Sequence, residues 1–362
     1  MKLEKKHLHI AIIILGIIFL SLPAFHTSLW FDESYSVAIA KHRFADIWTI
    51  TGNDVHPALY YWALHIICLI FGNNILLFRL FSLTATIIVG ILGYTHIRKD
   101  FGERCGIFFS FLTFFLPVMT AYSQEIRMYS WSFLIITLTS IYAYRFYKNI
   151  KDKNENKRTK NLVIFGIFSI CACYIHYYAL ITTCLINLLL LIFLIRNRKE
   201  DKKALKNFLI LAGIQVILYI PWLVYLLGQI MHVHNGFWIE INPVSTPVEL
   251  LSFQFRRQLD SNFVFDAHTI IALVSSVLMY IYLAFRTYKY KKENTDIKPA
   301  ILSFFIYVGI IGLMLLISLI IWRPVLFSRY LFVITGLYIF WIAYMFSLEK
   351  NKILVLTICL II

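Results

Sequence analysis

The sequence contains few charged residues. Asp, Glu, Lys and Arg make up 15% of its 362 residues, against about a quarter in an ordinary soluble domain. Hydrophobic residues make up 60%, and apolar runs longer than about 18 residues recur along the chain. This composition excludes a water-soluble globular protein. We predict an all-α polytopic membrane protein with a single transmembrane domain over residues 1–362, without repeats or a separate soluble domain.

Cysteine is scarce as well, with six residues in the chain. All six lie in or beside apolar segments, and none forms a Cys-x-x-Cys motif or a His/Cys cluster with zinc-finger spacing. We assign them to packing. The sequence therefore gives no firm indication of a cofactor.

Acidic residues are fewer than basic ones, 19 against 34, which gives a formal net charge of +15. Such an excess can indicate nucleic-acid binding, but the basic residues cluster in short loops between apolar segments, and no nucleic-acid-binding motif accompanies them. The positive-inside rule explains this placement in a membrane protein. We therefore expect membrane lipid around the chain and no nucleic acid.

Apolar runs predict about 11 transmembrane helices. The first lacks a small-x-small cleavage site before Trp30, so we interpret it as an uncleaved span and not a signal peptide. The last is too short for a full span, which indicates a truncated chain or a shorter variant. The predicted spans are 8–29, 75–97, 106–120, 131–147, 161–176, 179–195, 207–227, 268–285, 299–321, 331–347 and 353–362.

The apolar stretch at 58–71 decides the topology. If it does not cross, 26 of the 34 Lys and Arg residues lie on the cytoplasmic side with the N-terminus. If it crosses, every later basic loop faces outward, against the positive-inside rule. We therefore predict an interfacial helix within a first outer loop at 30–74, in a multi-pass protein of the cell membrane.

Two acidic motifs lie at the outer ends of spans. Asp32 and Glu33 follow Trp30-Phe31, whose apolar rings raise carboxylate pKa values and exclude water, as suits a general base. Adjacent side chains point in different directions, so we favour Asp32 for the chemistry. Glu125 and Arg127 lie in the second outer loop, where the planar guanidinium could bind phosphate and the carboxylate could position an acceptor or the arginine. The alternatives are solvated loop charges and a local ion pair.

Further candidates lie in the other outer loops. His56, just before a predicted helix, could form a hydrogen bond, ligate a metal or simply start the helix. Arg329, followed by Tyr330, could clamp a lipid phosphate or snorkel to the interface. His176 and Tyr177 occupy a tight turn between two spans, which could equally belong to an aromatic belt.

The order of these motifs resembles a known family. WFDES follows the first span, then come DVHPALYYW, GNNILLFRL, YSQEIRMYS, HYYA and LFSRYLF. This set resembles the GT-C glycosyltransferases of the protein O-mannosyltransferase and aminoarabinose-transferase type. The resemblance covers most of residues 8–347, and many relatives continue into further spans and a soluble outer domain.

The resemblance implies a GT-C bundle with interfacial helices in the first outer loop and a polyprenyl-phosphate sugar as donor. Asp32 matches the family's catalytic base, with Glu33 beside it, and Glu125 and Arg127 match its acidic-x-Arg element. Arg329 and Tyr330 match the Arg-Tyr element near the lipid phosphate. The predicted reaction inverts the anomeric carbon at the outer face, and the acceptor is a protein, a lipid or a cell-wall glycan.

Some alternatives remain open. A divalent metal ion could lie between Asp32, His56 and the donor phosphate. A flippase or transporter of lipid-linked sugars would share the spans and the outer arginines, but should show inverted repeats and polar residues within spans. A polymerase or ligase of lipid-linked glycans usually relies on a late outer loop, whereas the long loop here is early. A membrane scaffold would leave both acidic motifs unexplained.

Overall fold

The computed structural model of the chain describes residues 5–25, 28–199, 201–236, 239–257 and 266–351. Within these ranges the regular structure is helical and includes no β-strand, so the predicted all-α class is confirmed. Three 3₁₀ turns cover Leu22–Phe25, Phe253–Phe255 and Ser328–Ile334, and a π turn at Gly93–Ile97 joins α5 to α6. The helices are α1 Lys5–Ser21, α2 Phe31–Ile39, α3 Phe44–Gly52, α4 Leu59–Phe71, α5 Ile75–Leu92, α6 Arg98–Phe101, α7 Glu103–Phe115, α8 Val118–Tyr122, α9 Tyr129–Lys151, α10 Glu155–Ile175, α11 Tyr177–Arg196, α12 Lys202–Asn235, α13 Ser245–Ser252, α14 Ala267–Lys292, α15 Lys298–Ile321 and α16 Thr335–Leu348.

Eight helical segments in the described ranges are long and apolar enough to cross a membrane. They agree with eight of the predicted spans, so a multi-pass bundle is present although the count of 11 is not confirmed. The predicted span at 353–362 lies outside the described residues. The eight segments are Lys5–Phe25, Ile75–Phe101, Glu155–Ile175, Tyr177–Arg196, Lys202–His234, Ala267–Lys292, Lys298–Ile321 and Ser328–Leu348.

The two remaining predicted spans, 106–120 and 131–147, are helical but depart from the expected pattern. Pro117 divides the first into α7 and α8, because the residue before a proline is driven to an extended backbone, as Leu116 is here. The second lies within α9, which carries many Ser, Thr and Tyr residues and is covered by other helices over much of its length. A span enclosed by protein does not need a fully apolar surface.

Close backbone contact holds α7 against the end of α5. A Cβ atom on Gly93 would lie 2.1 Å from Ser110 Oγ and 2.8 Å from the Gly106 carbonyl oxygen, and one on Gly106 would lie 2.5 Å from the Gly93 oxygen. Only glycine fits at both positions. Small residues allow this close approach, which makes packing between membrane helices favourable.

The bundle has two ends with different contents. At one end, called the site end below, five segments come together: the loop before α2, the turn before α4, residues 123–128, the α10–α11 turn and the 3₁₀ turn Ser328–Ile334. At the opposite end lie the basic connections between α9 and α10, α11 and α12, and α14 and α15. His56, before α4, and Arg79, near the start of α5, both bond to groups at the site end. The chain therefore enters α4 from the site end and has returned to that end by the start of α5.

Candidate functional site

Glu33 forms the most enclosed ion pair of the site end. Its Oε2 lies 3.0 Å from Arg79 Nη2, and its Oε1 accepts a hydrogen bond of 3.0 Å from the Ile126 backbone N–H. Arg79 also donates to the Ser28 carbonyl oxygen at 2.7 Å. Burial raises the pKa of Glu33, although the Ile126 N–H and Arg79 favour its charged form. Glu33 thereby joins α2, α5 and the loop that carries Arg127.

Arg127 is 4% exposed and lies at the centre of the site. Its Nη1 donates to Tyr61 Oη at 3.2 Å and to Ser36 Oγ at 3.4 Å. Its Nη2 lies 3.2 Å from His56 Nε2. A guanidinium with partners on three elements has a fixed orientation, which suits the recognition of an anion.

His56 orients Arg127 from one side. Because the guanidinium can only donate, His56 Nε2 accepts from it, and the neutral ring carries its hydrogen on Nδ1. Nδ1 faces Asp54 Oδ2 at 3.6 Å. Burial lowers the pKa of His56, and the Arg127 charge lowers it further against the opposing influence of Asp54. Asp54 and Arg127 therefore flank the His56 ring on its two nitrogens, but only the Arg127 contact is a hydrogen bond.

Asp32 is the more accessible of the two adjacent carboxylates. Its side chain is 27% exposed, against 4% for that of Glu33. Its Oδ2 lies 3.4 Å from Arg329 Nη1 and 3.8 Å from Arg127 Nη2. Asp32 is therefore near two cations but held closely by neither, and it can be reached from outside the bundle.

Aromatic rings hold Arg329 in place. Its guanidinium carbon lies 4.8 Å from the centre of the Trp30 ring and 5.0 Å from that of Phe327. Such cation–π contacts orient the group without occupying its N–H donors. The ring of the next residue, Tyr330, contacts His176 with ring centres 5.0 Å apart.

Glu125 is a buried carboxyl without a close partner. It is 6% exposed, and its Oε2 is buried without a hydrogen bond. Burial raises the pKa of Glu125 to about 8, although Arg329 and Arg127 lower it. At neutral pH this carboxyl is therefore mainly protonated and leaves both arginines their positive charge.

The turn between α10 and α11 borders an apolar cavity of about 250 Å³. Helices α11, α12 and α15 surround the cavity, and His56, His176 and Tyr330 line its polar end. Tyr177 donates a hydrogen bond to Gln229 Oε1 on α12. The site end of the gap between α12 and α15 is bridged by Arg323, which donates to the His234 carbonyl oxygen at 3.0 Å.

The structure brings all the predicted site residues to one end of the bundle: Asp32, Glu33, His56, Glu125, Arg127, His176, Tyr177, Arg329 and Tyr330. Their individual roles stay predictions. A divalent ion shared by Asp32 and His56 stays a hypothesis as well. In the described part of the chain no three His, Cys, Asp or Glu residues form a metal-binding group, and His56 Nε2 already accepts from Arg127.

Sequence reasoning missed several residues that hold the site together. No role could be assigned to Arg79 or Tyr61 from the sequence. Ser36 and Gln229 gave no signal. An arginine within the apolar run of α5 was the available clue, since a charge there requires a partner.

Comparison with known proteins adds two findings. Residues 55–225 match the family model described as dolichyl-phosphate-mannose-protein mannosyltransferase. The crystal structure of ArnT from Cupriavidus metallidurans in the apo state matches with a TM-score of 0.62 at 14% sequence identity, over 96% of this chain and 60% of ArnT. The chain thus spans less than two thirds of that protein. No curated protein matches it significantly.

Proposed function

We propose that the chain is a membrane enzyme of the GT-C glycosyltransferase type that moves a sugar from a polyprenyl phosphate to an acceptor hydroxyl. The family model that residues 55–225 match and the fold shared with ArnT support this proposal. The family resemblance inferred from the sequence is confirmed at the level of the fold. The single observation that carries the proposal is the accessible Asp32 carboxylate between Arg329 and Arg127, 3.4 and 3.8 Å away. A base and two phosphate-binding cations are the groups that this reaction needs.

In this reaction the acceptor oxygen attacks the anomeric carbon and loses its proton to Asp32. The bond between the anomeric carbon and the phosphate oxygen breaks, and the electron pair leaves with the polyprenyl phosphate. Direct displacement inverts the anomeric centre. Arg127 and Arg329 stabilise the negative charge on the leaving phosphate, and each well-placed donor contributes about 3–4 kcal/mol to such a transition state.

The remaining site residues have supporting roles. Glu33 holds Arg79 and the Ile126 backbone with both of its oxygens, so we propose that it positions the loop of Arg127 and takes no proton from the acceptor. Neutral Glu125 leaves the charge of both arginines available for phosphate. The apolar cavity between α11, α12 and α15 suits the first part of a polyprenyl tail.

The positive-inside rule directs the basic connections of the opposite end to the cytoplasm. The site then faces the outer surface, where a protein, lipid or cell-wall glycan acceptor would be met. This orientation is part of the proposal.

The test is sugar transfer from radiolabelled polyprenyl-phosphate sugars in membranes with matched expression of wild type and Asp32→Asn. A panel of donors and a crude envelope acceptor fraction supply the substrates. We expect the variant to lose transfer by about 10²–10⁴-fold, the contribution of a general base. Asp46→Asn is the matched control, since Asp46 lies in the same outer loop but is bonded to Arg43 at the surface.

Normal transfer by the Asp32 variant would remove the base assignment. If the label instead stays on the lipid in both proteins and becomes accessible to an impermeant probe, the activity is that of a flippase.

A further inference from the structure

His176 is a buried polar residue of the site end with one ring nitrogen that lacks a hydrogen-bond partner. It is 3% exposed and lies in the turn between α10 and α11. Its Nδ1 is 3.1 Å from the Tyr178 backbone nitrogen. The imidazole thus caps the first turn of α11, where backbone N–H groups lack helical partners.

This cap fixes the tautomer of His176. The Tyr178 N–H can only donate, so Nδ1 accepts and carries no hydrogen. Burial and the nearby Arg127 charge lower the pKa of His176 well below its ordinary value, so the ring is neutral. The single ring hydrogen must then lie on Nε2, and that atom is buried without a hydrogen-bond partner. A buried N–H without an acceptor is destabilising.

The surroundings of His176 indicate what could accept from it. His176 lines the apolar cavity between α11, α12 and α15. His56, whose ring centre lies 6.1 Å away, accepts a hydrogen bond from Arg127. A ligand that reaches His176 therefore has an apolar part in the cavity and a negative part near Arg127. A phosphate group on an apolar chain has this combination.

We propose that His176 donates a hydrogen bond from Nε2 to a phosphate oxygen of a polyprenyl phosphate whose first isoprene units occupy the cavity. This assignment rests on the proposed function and adds a neutral donor to its two arginines. The imidazole binds the phosphate at the boundary between the charged site and the apolar cavity. It transfers no proton, because its only hydrogen stays on Nε2.

Two substitutions separate the cap from the donor. In His176→Asn the amide oxygen can accept from the Tyr178 N–H, as asparagine does at helix starts, but the side chain is too short to reach the position of Nε2. In His176→Gln the amide nitrogen can reach that position, while the cap is weakened. The first variant therefore tests the donor, and the second tests the effect of a damaged turn.

The measurement is the Kd of polyprenyl phosphate without sugar for the purified full chain, together with Tm. We expect His176→Asn to raise Kd about 10- to 100-fold, the effect of losing one hydrogen bond to a charged group, with Tm close to wild type. His176→Gln should lower Tm and keep Kd within about threefold of the wild-type value. The free polyprenyl alcohol should bind equally to wild type and His176→Asn.

Wild-type affinity in His176→Asn would overturn the assignment and leave the proposed function intact. So would equal losses for phosphate and alcohol, or losses that follow Tm in both variants. If wild type binds no polyprenyl phosphate, the proposed function fails along with this inference. Inorganic phosphate alone serves as a further ligand. If inorganic phosphate binds as tightly as the lipid, the polyprenyl tail is not recognised and the cavity has no part in binding.

Discussion

Ion pairs that join distant parts of the chain differ between the two ends of the bundle in how closely they are held. At the opposite end, Arg145 lies 2.7 Å from Asp100, Arg286 lies 2.6 Å from Glu349, and Arg158 bonds to Asp201. At the site end, the Asp32 contacts measure 3.4 and 3.8 Å. Closed pairs fasten helices together, whereas open pairs leave charge available to a ligand.

The comparison also divides the site. Glu33 and Arg79, 3.0 Å apart and buried, resemble the closed pairs of the opposite end. Asp32, Glu125, Arg127 and Arg329 form the open part, where two cations face carboxyls that do not neutralise them closely. We therefore expect substitutions of closed pairs to lower stability and substitutions of open groups to lower substrate binding or activity.

The largest effect on binding should follow the loss of a cation from the open part. We expect Arg329→Met to raise the Kd of polyprenyl phosphate about 10- to 100-fold, because a charge-assisted hydrogen bond is lost. Methionine keeps apolar volume between the Trp30 and Phe327 rings. Binding is measured on purified protein with Tm as the control for folding. An unchanged Kd would show that Arg329 does not meet the phosphate.

Substitutions in the closed pairs of the opposite end should lower stability instead. Glu349 is 3% exposed, and its Oε2 binds Arg286 and accepts from Tyr282 Oη at 3.1 Å. Glu349→Gln weakens these bonds, so we expect a loss of about 1–3 kcal/mol and a Tm lower by several degrees. Transfer per folded molecule should stay within about twofold of wild type. Selective loss of transfer without a change in Tm would break the comparison.

The smallest effect should depend on pH. The pKa of Glu125 is raised to about 8, so its carboxyl is mainly neutral at pH 7 and ionises as the pH rises through that value. The new negative charge faces Arg127 and Arg329, and we expect the Kd of polyprenyl phosphate to rise several-fold between pH 7 and 9. Glu125→Gln should remove most of this rise, measured as the ratio of the two Kd values in each protein.

Stability gives a second measure of Glu125. Its folded-state pKa lies above the ordinary value of 4.5, so the fold favours the neutral carboxyl and loses stability as the pH rises from about 4.5 to about 8. The Tm of Glu125→Gln minus that of wild type should therefore increase over this range and level off above it. A difference that is constant with pH would mean that Glu125 is already ionised in the fold.

Much of the architecture could be predicted because hydrophobicity and charge act locally along the chain. The helix at 58–71 and eight spans follow from apolar length. The predicted span 106–120 was wrong in being undivided, because the backbone effect of Pro117 was not taken into account. The site was predictable as a set of residues, since charges beside a bilayer are costly without a role.

The pairing within the site could not be predicted. Glu33 meets Arg79 from 46 positions away, and Asp32 meets Arg329 from 297 positions away. No periodicity relates such distant positions, so adjacent Asp32 and Glu33 could be distinguished only once their partners were visible. The free Nε2 of His176 likewise depends on a hydrogen bond to the Tyr178 backbone that composition does not reveal.

The tract 176–178 makes three separate connections with three consecutive residues. His176 faces the cavity, Tyr177 bonds to Gln229 on α12, and Tyr178 Oη donates to the Val325 carbonyl oxygen and accepts from the Phe327 N–H. His176 is the extended residue before α11, and from Tyr177 onward successive residues point about 100° apart. Inserting or deleting one residue here would turn these side chains away from their partners together. The length of this tract is therefore as constrained as its composition, and an engineered insertion belongs in another loop.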